Sequence, residues 1–184
     1  MGDYVHRVTD VLLRSELLPV RARMKIMRLV GYDIAPDACL WAGAILRSKK
    51  LKIGSQVFIN VGFFHDGFDM LRIDDNVRIG QHVKIITGTH AIGPSHQRAL
   101  VEVTGKPVEI GRGSWLGCGV IIMPGVIVAP GCVIAAGAVV TKSTEQDGLY
   151  AGIPARLIRK LSDSLSEPAT LESGTPPQLE AFAW

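Results

Sequence analysis

A repeat of six residues in the second half of the chain constrains the fold more than any other feature. Counted in steps of six from Ile110, every position up to Val140 carries Ile, Leu or Val. The residue two places earlier is small or β-branched, as at Ser114 and Ala138. A period of six fits neither an α-helix nor one long strand, whose side chains repeat every 3.6 and 2 residues. Short strands joined by turns fit it, so the spacing predicts a solenoid whose equivalent residues stack from coil to coil.

The same phase recurs upstream, and it slips in three places. The upstream aliphatic slots are Ile34, Leu40, Leu46, Ile53, Ile59, Ile73, Ile79 and Ile85. The phase is lost at 47–52, 60–72 and 91–109, where we expect loops to leave the coil. Within the repeat, the large residue and the small residue two places before it should point inward, and the Gly or Ala that follows should lie at a corner.

Both ends of the chain fall outside the repeat. Residues 3–30 contain two helix-like segments separated by Pro19, which predict a cap over the open first coil. The last residues are rich in Pro, Ser and Glu and predict a mobile tail, with a docking strand that ends in Phe182 and Trp184 as the alternative. The predicted segments are an N-terminal helical cap (1–33), a parallel β-helix (34–150) with a protruding loop (91–107), a C-terminal turn and short helix (151–165) and the tail (166–184).

Composition excludes several classes of function. A chain of 184 residues with 20 % charged residues suggests one globular domain, and a net charge of +3 is too small to indicate nucleic-acid binding. The cysteines Cys39, Cys118 and Cys132 are odd in number and form no CxxC motif, which predicts reduced thiols rather than disulfides or a zinc site. The sequence has neither a signal-peptide pattern nor an apolar run of about 18 residues, so we expect a cytoplasmic protein without a membrane span.

Three segments resemble a known family. They are LRIDDNVRIGQHVKIITGTH (71–90), VEIGRGSWLGCGVIIMPGVIVAPGCVIAAGAVVTK (108–142) and YAGIPARLIRKL (150–161). Together they resemble the hexapeptide-repeat acetyltransferases, in particular the maltose and galactoside O-acetyltransferase branch, and the similarity extends over about 34–161. The resemblance implies a left-handed parallel β-helix, a homotrimer with active sites in clefts between subunits, acetyl-CoA as donor and a small-molecule acceptor with a hydroxyl or amine group. Handedness rests on this resemblance alone.

The resemblance implies that His90 is the general base. His90 ends the block that begins at Ile85, where the repeat breaks into the loop 91–107. Acetyl transfer needs a base, because an acceptor hydroxyl must lose its proton as it attacks the thioester carbonyl, and imidazole exchanges protons near neutral pH. The alternative interpretation is an ordinary histidine of a surface loop.

The resemblance also predicts residues that bind the acceptor. Asn60 matches a family residue that contacts acceptor hydroxyls, and its alternative role is a corner residue that bonds its own backbone. The family's acceptor-binding acid falls on Phe68 in this chain. Asp66 and Asp69 flank that position, and either could replace the acid after a small loop shift. This departure from the family pattern weakens the case for a sugar acceptor.

Further acceptor contacts are expected from an aromatic residue and from the loop. Trp115 occupies a position where the family often carries an aromatic residue, and it is expected to wall the acceptor or pantetheine pocket, with packing under the loop as the alternative. His96 and Arg98 lie in the loop 91–107, which should close over a neighbouring subunit's active site. We expect acceptor specificity to reside there.

The coenzyme site is predicted along the later coils. By resemblance, the backbone N–H of Cys118 holds the thioester carbonyl oxygen, which would stabilise the developing oxyanion. Ala136 and Gly137 offer exposed backbone for the pantetheine arm. The residues expected near the adenosine and phosphate end are Thr141, Lys142, Arg156 and Arg159. For each basic residue alone, a solvated surface charge is the alternative.

Two other functions share this repeat. The γ-type carbonic anhydrases bind zinc through three histidines, and here His65 and His82 lie about one coil apart, with His90 further on. The close histidine pair of that family is absent from the sequence, so no metal is expected. The second alternative is a non-catalytic β-helix that serves as a scaffold subunit.

Overall fold

The computed structural model describes residue 11 and residues 14–161, which form a coil of short strands behind a helix. The helix α1 spans Val20–Leu29. The strands are β1 (Asp33–Ile34), β2 (Cys39–Leu40), β3 (Ile45–Leu46), β4 (Leu51–Ile53), β5 (Phe58–Ile59), β6 (Phe64–His65), β7 (Leu71–Ile73), β8 (Arg78–Ile79), β9 (Lys84–Ile85), β10 (Gly88–Ile92), β11 (Ala99–Gly105), β12 (Val108–Ile110), β13 (Trp115–Leu116), β14 (Ile121–Ile122), β15 (Ile127–Val128), β16 (Val133–Ile134), β17 (Val139–Val140), β18 (Gly148–Ala151) and β19 (Arg156–Lys160).

Apart from β10 and β11, which form a separate two-stranded sheet, the strands stack into three sheets, which we call faces A, B and C. These sheets are parallel except for the last pair of face B, β18 and β19. Face A has the order β1-β4-β7-β12-β15, face B the order β2-β5-β8-β13-β16-β18-β19, and face C the order β3-β6-β9-β14-β17. Each coil passes from face A to B to C, and the connecting turns form the AB, BC and CA edges of a prism. The predicted all-β parallel solenoid is therefore confirmed, and the arrangement is consistent with the left-handed β-helix.

The repeat positions build the core as predicted. The aliphatic slots stack in register, for example Ile110 with Ile73 on one side and Val128 on the other. All three are at most 1 % exposed. The small positions two residues earlier, such as Ser114 and Ala138, are also fully buried. Each coil therefore contributes a large and a small inward side chain per face, and burying the large ones drives folding.

Two corner positions, Gly137 and Gly111, require glycine for different reasons. Gly137 has φ +70, in the left-handed region that most side chains avoid. Gly111 directly follows an inward slot, and a Cβ there would lie 2.6 Å from the backbone nitrogen of Pro130 in the next coil. The first position needs an unusual backbone conformation, and the second needs a close approach between coils.

The coil continues through part of the predicted slip at 60–72. Phe63 and His65 are fully buried and fill the two inward positions of face C. His65 pairs with Leu46 and with Ile85, so an imidazole occupies a slot that is otherwise aliphatic. The expectation of a loop at 60–65 was therefore wrong. The repeat is hard to see in the sequence at this point because its slot residue is not Ile, Leu or Val. Only 66–70 form an enlarged CA turn, while 47–50 turn at the same edge one coil earlier.

His65 is poorly accommodated in this slot. Among the residues that the structure describes, neither ring nitrogen has a hydrogen-bond partner. Burial lowers the pKa of His65, and the neighbouring Asp66 carboxylate and the backbone of Asp69 offset this only in part. The imidazole is therefore expected to be neutral in the folded chain, at the cost of an unsatisfied polar group in the core.

The two ends of the coil are closed differently. Helix α1 covers the first coil with Met24 and Met27, and the buried Arg23 donates hydrogen bonds to the carbonyl oxygen of Leu40 at 3.1 Å and to that of Leu18 at 2.9 Å. The helical cap is thus present, although much of its predicted first segment lies outside the described residues. Nowhere in residues 14–161 is a helix long and apolar enough to cross a membrane.

The predicted C-terminal short helix over 151–165 is wrong within the described residues. Strand β19 instead pairs antiparallel with β18, for example Arg159 with Leu149. The open edge of the last coil needs partners for its backbone groups, and a strand supplies them where a helix cannot. Residues 162–165 and the predicted tail 166–184 lie outside the described residues.

The protruding loop predicted at 91–107 is a β-hairpin that begins earlier. Strands β10 and β11 pair antiparallel from the match of Gly88 with Gly105 to that of Ile92 with Ala99. The hairpin leaves the coil at the CA edge, between β9 and β12. On either side of it, β9 pairs directly with β14 and β7 with β12, so the ladder of the coil is not interrupted.

Replacing His65 with leucine should stabilise the chain and reduce its sensitivity to acid. The unfolded chain binds the His65 proton near pH 6.5, whereas burial lowers the folded pKa below that value. The unfolded state therefore binds more protons below about pH 6.5, and the free energy of unfolding falls as the pH drops. His65→Leu should raise that free energy by about 1–3 kcal/mol and flatten its dependence on pH between about 7 and 5.

Thermal unfolding at equal protein concentration, measured across this pH range, tests the prediction. His96→Gln is the matched control, because it removes an exposed histidine on the hairpin rather than the buried one. An unchanged slope in His65→Leu would show that His65 does not govern the acid sensitivity.

Candidate active site on two edges of the prism

His90 lies in β10 at the point where the hairpin register shifts. His90 pairs with Val103, but Ile92 pairs with Ala99, so β11 has extra residues between the two matches. Such irregularities free backbone groups from the ladder and redirect side chains. Leu100 lies in this stretch, and its carbonyl oxygen is 2.5 Å from Nδ1 of His90.

This contact determines which nitrogen of His90 can act as a base. A carbonyl oxygen can only accept a hydrogen bond, so Nδ1 must carry the ring proton, and Nε2 keeps its lone pair. The His90 side chain is exposed, so Nε2 is accessible to a substrate hydroxyl.

Asp66 and Thr87 tie the start of the hairpin to the enlarged CA turn. The Asp66 carboxylate accepts hydrogen bonds from the backbone N–H of Thr87 at 3.0 Å, from that of Gly88 at 2.9 Å, and from the Thr87 hydroxyl. Both carboxylate oxygens of Asp66 are thus already engaged within the chain. Its role as a ligand of the acceptor remains a prediction. The sequence analysis did not predict a functional role for Thr87. The one feature of the sequence that points to it is its place three residues before His90, in the segment TGTH.

Asp69 and Phe68 also contact the hairpin. Asp69 donates its backbone N–H to the Thr87 hydroxyl at 2.9 Å and lies against Gly105, where a Cβ would be 3.1 Å from its carboxylate. The ring of Phe68 covers Gly88, where a Cβ would lie 2.5 Å from it. Phe68, which falls at the family's acid position by resemblance, thus packs on the start of the hairpin at Gly88. The role of Asp69 as an acceptor ligand remains a prediction.

The BC edge carries the predicted coenzyme backbone and Asn60. Cys118, Ala136 and Gly137 are exposed in turns of this edge, and a Cβ at Gly137 would meet nothing within 4 Å. The backbone N–H of Cys118 has no hydrogen-bond acceptor within the described part of the chain. Asn60 accepts a bond from the adjacent backbone N–H of Val61 at 2.8 Å through Oδ1, as the alternative corner role predicts.

Trp115 and Arg98 lie apart from this edge. Trp115 points outward from face B between Arg78 and Val133 and is 42 % exposed. Arg98 is exposed at the hairpin tip, where its guanidinium donates to the carbonyl oxygen of Gly93 at 3.2 Å. Their roles toward an acceptor remain predictions.

The residues predicted near the phosphate end of the coenzyme are exposed but belong to different parts of the coil. Thr141 and Lys142 lie at the CA edge just after β17, and both are exposed. Arg156 and Arg159 lie on β19 at the end of face B and are exposed as well. Their role as ligands of the coenzyme phosphates remains a prediction.

One chain therefore holds the predicted site in two separate halves. The CA edge carries His90, Asp66, Asp69, Thr141 and Lys142, and the BC edge carries Asn60, Cys118, Ala136 and Gly137. Face C lies between these edges. Two grooves of the single chain, beside α1 and Trp41, are lined by none of these residues.

The histidines of the carbonic anhydrase alternative are not grouped. His65 faces the core and pairs with Ile85 rather than stacking on His82, which lies at a BC turn. His90 lies on the hairpin. Within residues 14–161, no group of three His, Cys, Asp or Glu side chains could hold a metal ion.

The sequence and fold are similar to those of acetyltransferases. Residues 107–142 match the family model described as bacterial transferase hexapeptide (six repeats). Galactoside O-acetyltransferase of Lactococcus lactis is 32 % identical over 136 residues, which cover 70 % of this chain and 64 % of that protein. The chain spans from 46 % to 66 % of the lengths of eight curated relatives that it matches.

Solved structures support the same similarity over a longer span. A maltose O-acetyltransferase from Clostridium difficile has 26 % identity and a TM-score of 0.70, over 88 % of this chain and 86 % of that one. A hexapeptide-repeat acetyltransferase from Vibrio cholerae, complexed with acetyl coenzyme A, has 26 % identity and a TM-score of 0.70, over 88 % and 87 %. The resemblance to the maltose and galactoside acetyltransferase branch is confirmed by these comparisons.

Proposed function

We propose that this chain is an O-acetyltransferase that moves an acetyl group from acetyl-CoA to a hydroxyl of a small acceptor such as a sugar, with an amine as the alternative acceptor group. The geometry of His90 carries the proposal, because its Nδ1 is occupied by the Leu100 carbonyl and its exposed Nε2 can accept a proton. The similarity to galactoside and maltose O-acetyltransferases supports the choice of reaction.

The proposed transfer is direct. Nε2 of His90 takes the proton from the acceptor hydroxyl while the hydroxyl oxygen attacks the thioester carbonyl carbon. The oxygen of the tetrahedral intermediate then carries negative charge, which the backbone N–H of Cys118 would stabilise. When the carbonyl re-forms, the C–S bond breaks and the coenzyme A thiolate takes the proton from the imidazolium, so His90 returns to its starting state.

The surface chemistry suits coenzyme A. The exposed backbone of Ala136 and Gly137 leaves room for a pantetheine arm along the BC edge. Lys142, Arg156 and Arg159 are exposed cations that could pair with its phosphates. We propose that these residues meet in a homotrimer, in which the CA edge of one subunit and the BC edge of the next enclose each site.

His90→Ala should abolish most turnover without disturbing the fold. Loss of a general base lowers kcat by about 10²- to 10⁴-fold, and the exposed side chain contributes little to packing. The measurement is thiol release from acetyl-CoA against a panel of hydroxyl and amine acceptors, together with native mass and thermal unfolding. Lys52→Ala, an exposed change on face A that lies outside the predicted site, should keep wild-type turnover. Near-normal turnover in His90→Ala would remove His90 from the role of base.

Co-expression of two inactive variants should restore activity if each site is shared between subunits. His90→Ala removes the proposed base from the CA edge. Ala136→Trp should block the pantetheine path on the BC edge. If equal amounts of the two variants assemble at random, every mixed trimer holds one intact site among three and the unmixed trimers hold none, so about a quarter of the wild-type rate should return. If mixed trimers form and remain inactive, both halves of a site come from one chain and the shared cleft is wrong.

A further inference from the structure

Thr87 is the residue at which the hairpin, its return strand and the coil are joined. Its backbone N–H and hydroxyl both bond to Asp66, and its hydroxyl accepts the backbone N–H of Asp69 at 2.9 Å. Its carbonyl oxygen accepts the backbone N–H of Lys106 at 2.8 Å. Thr87 is fully buried. All its polar atoms are therefore used to hold both strands of the hairpin against the CA turn.

The charge of Asp66 strengthens this junction. Burial raises the pKa of the Asp66 carboxyl, but the hydrogen bonds from the Thr87 hydroxyl and from the backbone of Gly88 and Thr87 outweigh it, so the pKa is lowered overall. The carboxylate is thus ionised at neutral pH, and bonds to an ionised acceptor are stronger than bonds between neutral groups. We call Asp66 and Thr87 the hairpin latch.

Beyond the latch and the contacts of Phe68 with Gly88 and of Asp69 with Gly105, the hairpin has little support from its own coil. Every residue from 89 to 106 is exposed except Gly93 and Val103, which are half-buried. His90 lies in the same strand as Gly88, two residues further along, and its ring is oriented by Leu100 of the hairpin itself. The position of the imidazole relative to the coil is therefore determined mainly at the root.

We propose that Asp66 and Thr87 are positioning residues for the general base, in addition to any contact that Asp66 makes with an acceptor. The inference rests on the proposed function, because it assigns the latch the task of holding His90 where the acceptor hydroxyl meets the thioester. A displacement of about 1 Å in a catalytic group can lower a rate by about 10²-fold. None of the contacts of Asp66 or Thr87 involves Cys118, Ala136 or Gly137, so the latch should affect turnover rather than donor binding.

The matched pair Thr87→Val and Thr87→Ser tests this role. Valine keeps the shape of threonine but loses the hydroxyl, whereas serine keeps the hydroxyl and loses the methyl group. Thr87→Val should lower kcat by about 10- to 100-fold with little change in KM for acetyl-CoA, and Thr87→Ser should remain near the wild-type rate. Equal losses in the two variants, or wild-type turnover in Thr87→Val, would overturn the proposal.

Two further measurements separate positioning from general destabilisation. In the His90→Ala background, Thr87→Val should cause no additional loss, because the latch acts through His90. Hydrogen exchange should quicken at the amides of Gly88, His90 and Lys106 in Thr87→Val while amides in the coil, such as Gly117, stay protected. An additional loss in the double variant, or unchanged exchange at the root, would contradict the inference.

These measurements also distinguish failure of the latch from failure of the proposed function. If the wild-type chain releases no thiol with any acceptor, the proposed function fails, and hydrogen exchange still decides whether the latch holds the hairpin. If Thr87→Val does not fold, Asp66→Asn replaces it, because an amide group would turn a donor toward the N–H groups of Thr87 and Gly88. Asp66→Asn should show the same loss in kcat and the same local exchange, and wild-type behaviour in both would overturn the latch.

Discussion

The coil is held by backbone hydrogen bonds between successive turns of the solenoid, and the rest of the structure depends on this constraint. Gly117 donates to the carbonyl oxygen of Ile134 and Gly111 to that of Val128, at 2.8 and 2.7 Å. Because these bonds use only the backbone, side-chain identity matters chiefly at the inward slots and where neighbouring coils touch. At Gly117, a Cβ would lie 2.6 Å from the backbone nitrogen of Ala136. Outward positions remain available for chemistry.

This constraint explains why the candidate site is divided. A regular prism offers flat faces and three edges, and its own coil cannot bring two edges together. The hairpin with His90 projects from the CA edge, and the open backbone of Ala136 and Gly137 lies on the BC edge. The active site proposed above needs both edges, so that proposal requires two copies of the chain at each site.

The sequence predicted the coil well where its slots are aliphatic and poorly where they are not. At His65 the backbone keeps its register although the side chain breaks the pattern, because its neighbours pair on both sides. At β19 the apolar spacing resembles a helix, but the open edge of β18 selects a strand. His90 was predicted by resemblance to a family, whereas the carbonyl of Leu100 is a backbone group exposed by a register shift and has no sequence signal.

The hairpin reconciles two opposed demands on the molecule. The coil must be regular to satisfy its backbone, while a site that recognises an acceptor must present irregular, specific groups. Since β9 pairs with β14 and β7 with β12 on either side of the insertion, the hairpin can vary without breaking the ladder. The two strands of the hairpin pair with each other, as between Gly88 and Gly105. The hairpin is bonded to the coil where it begins, through the backbone N–H of Gly88 and the Asp66 carboxylate. Under the proposed function, changes in the hairpin would alter the choice of acceptor while its bonds to the coil preserve the position of His90.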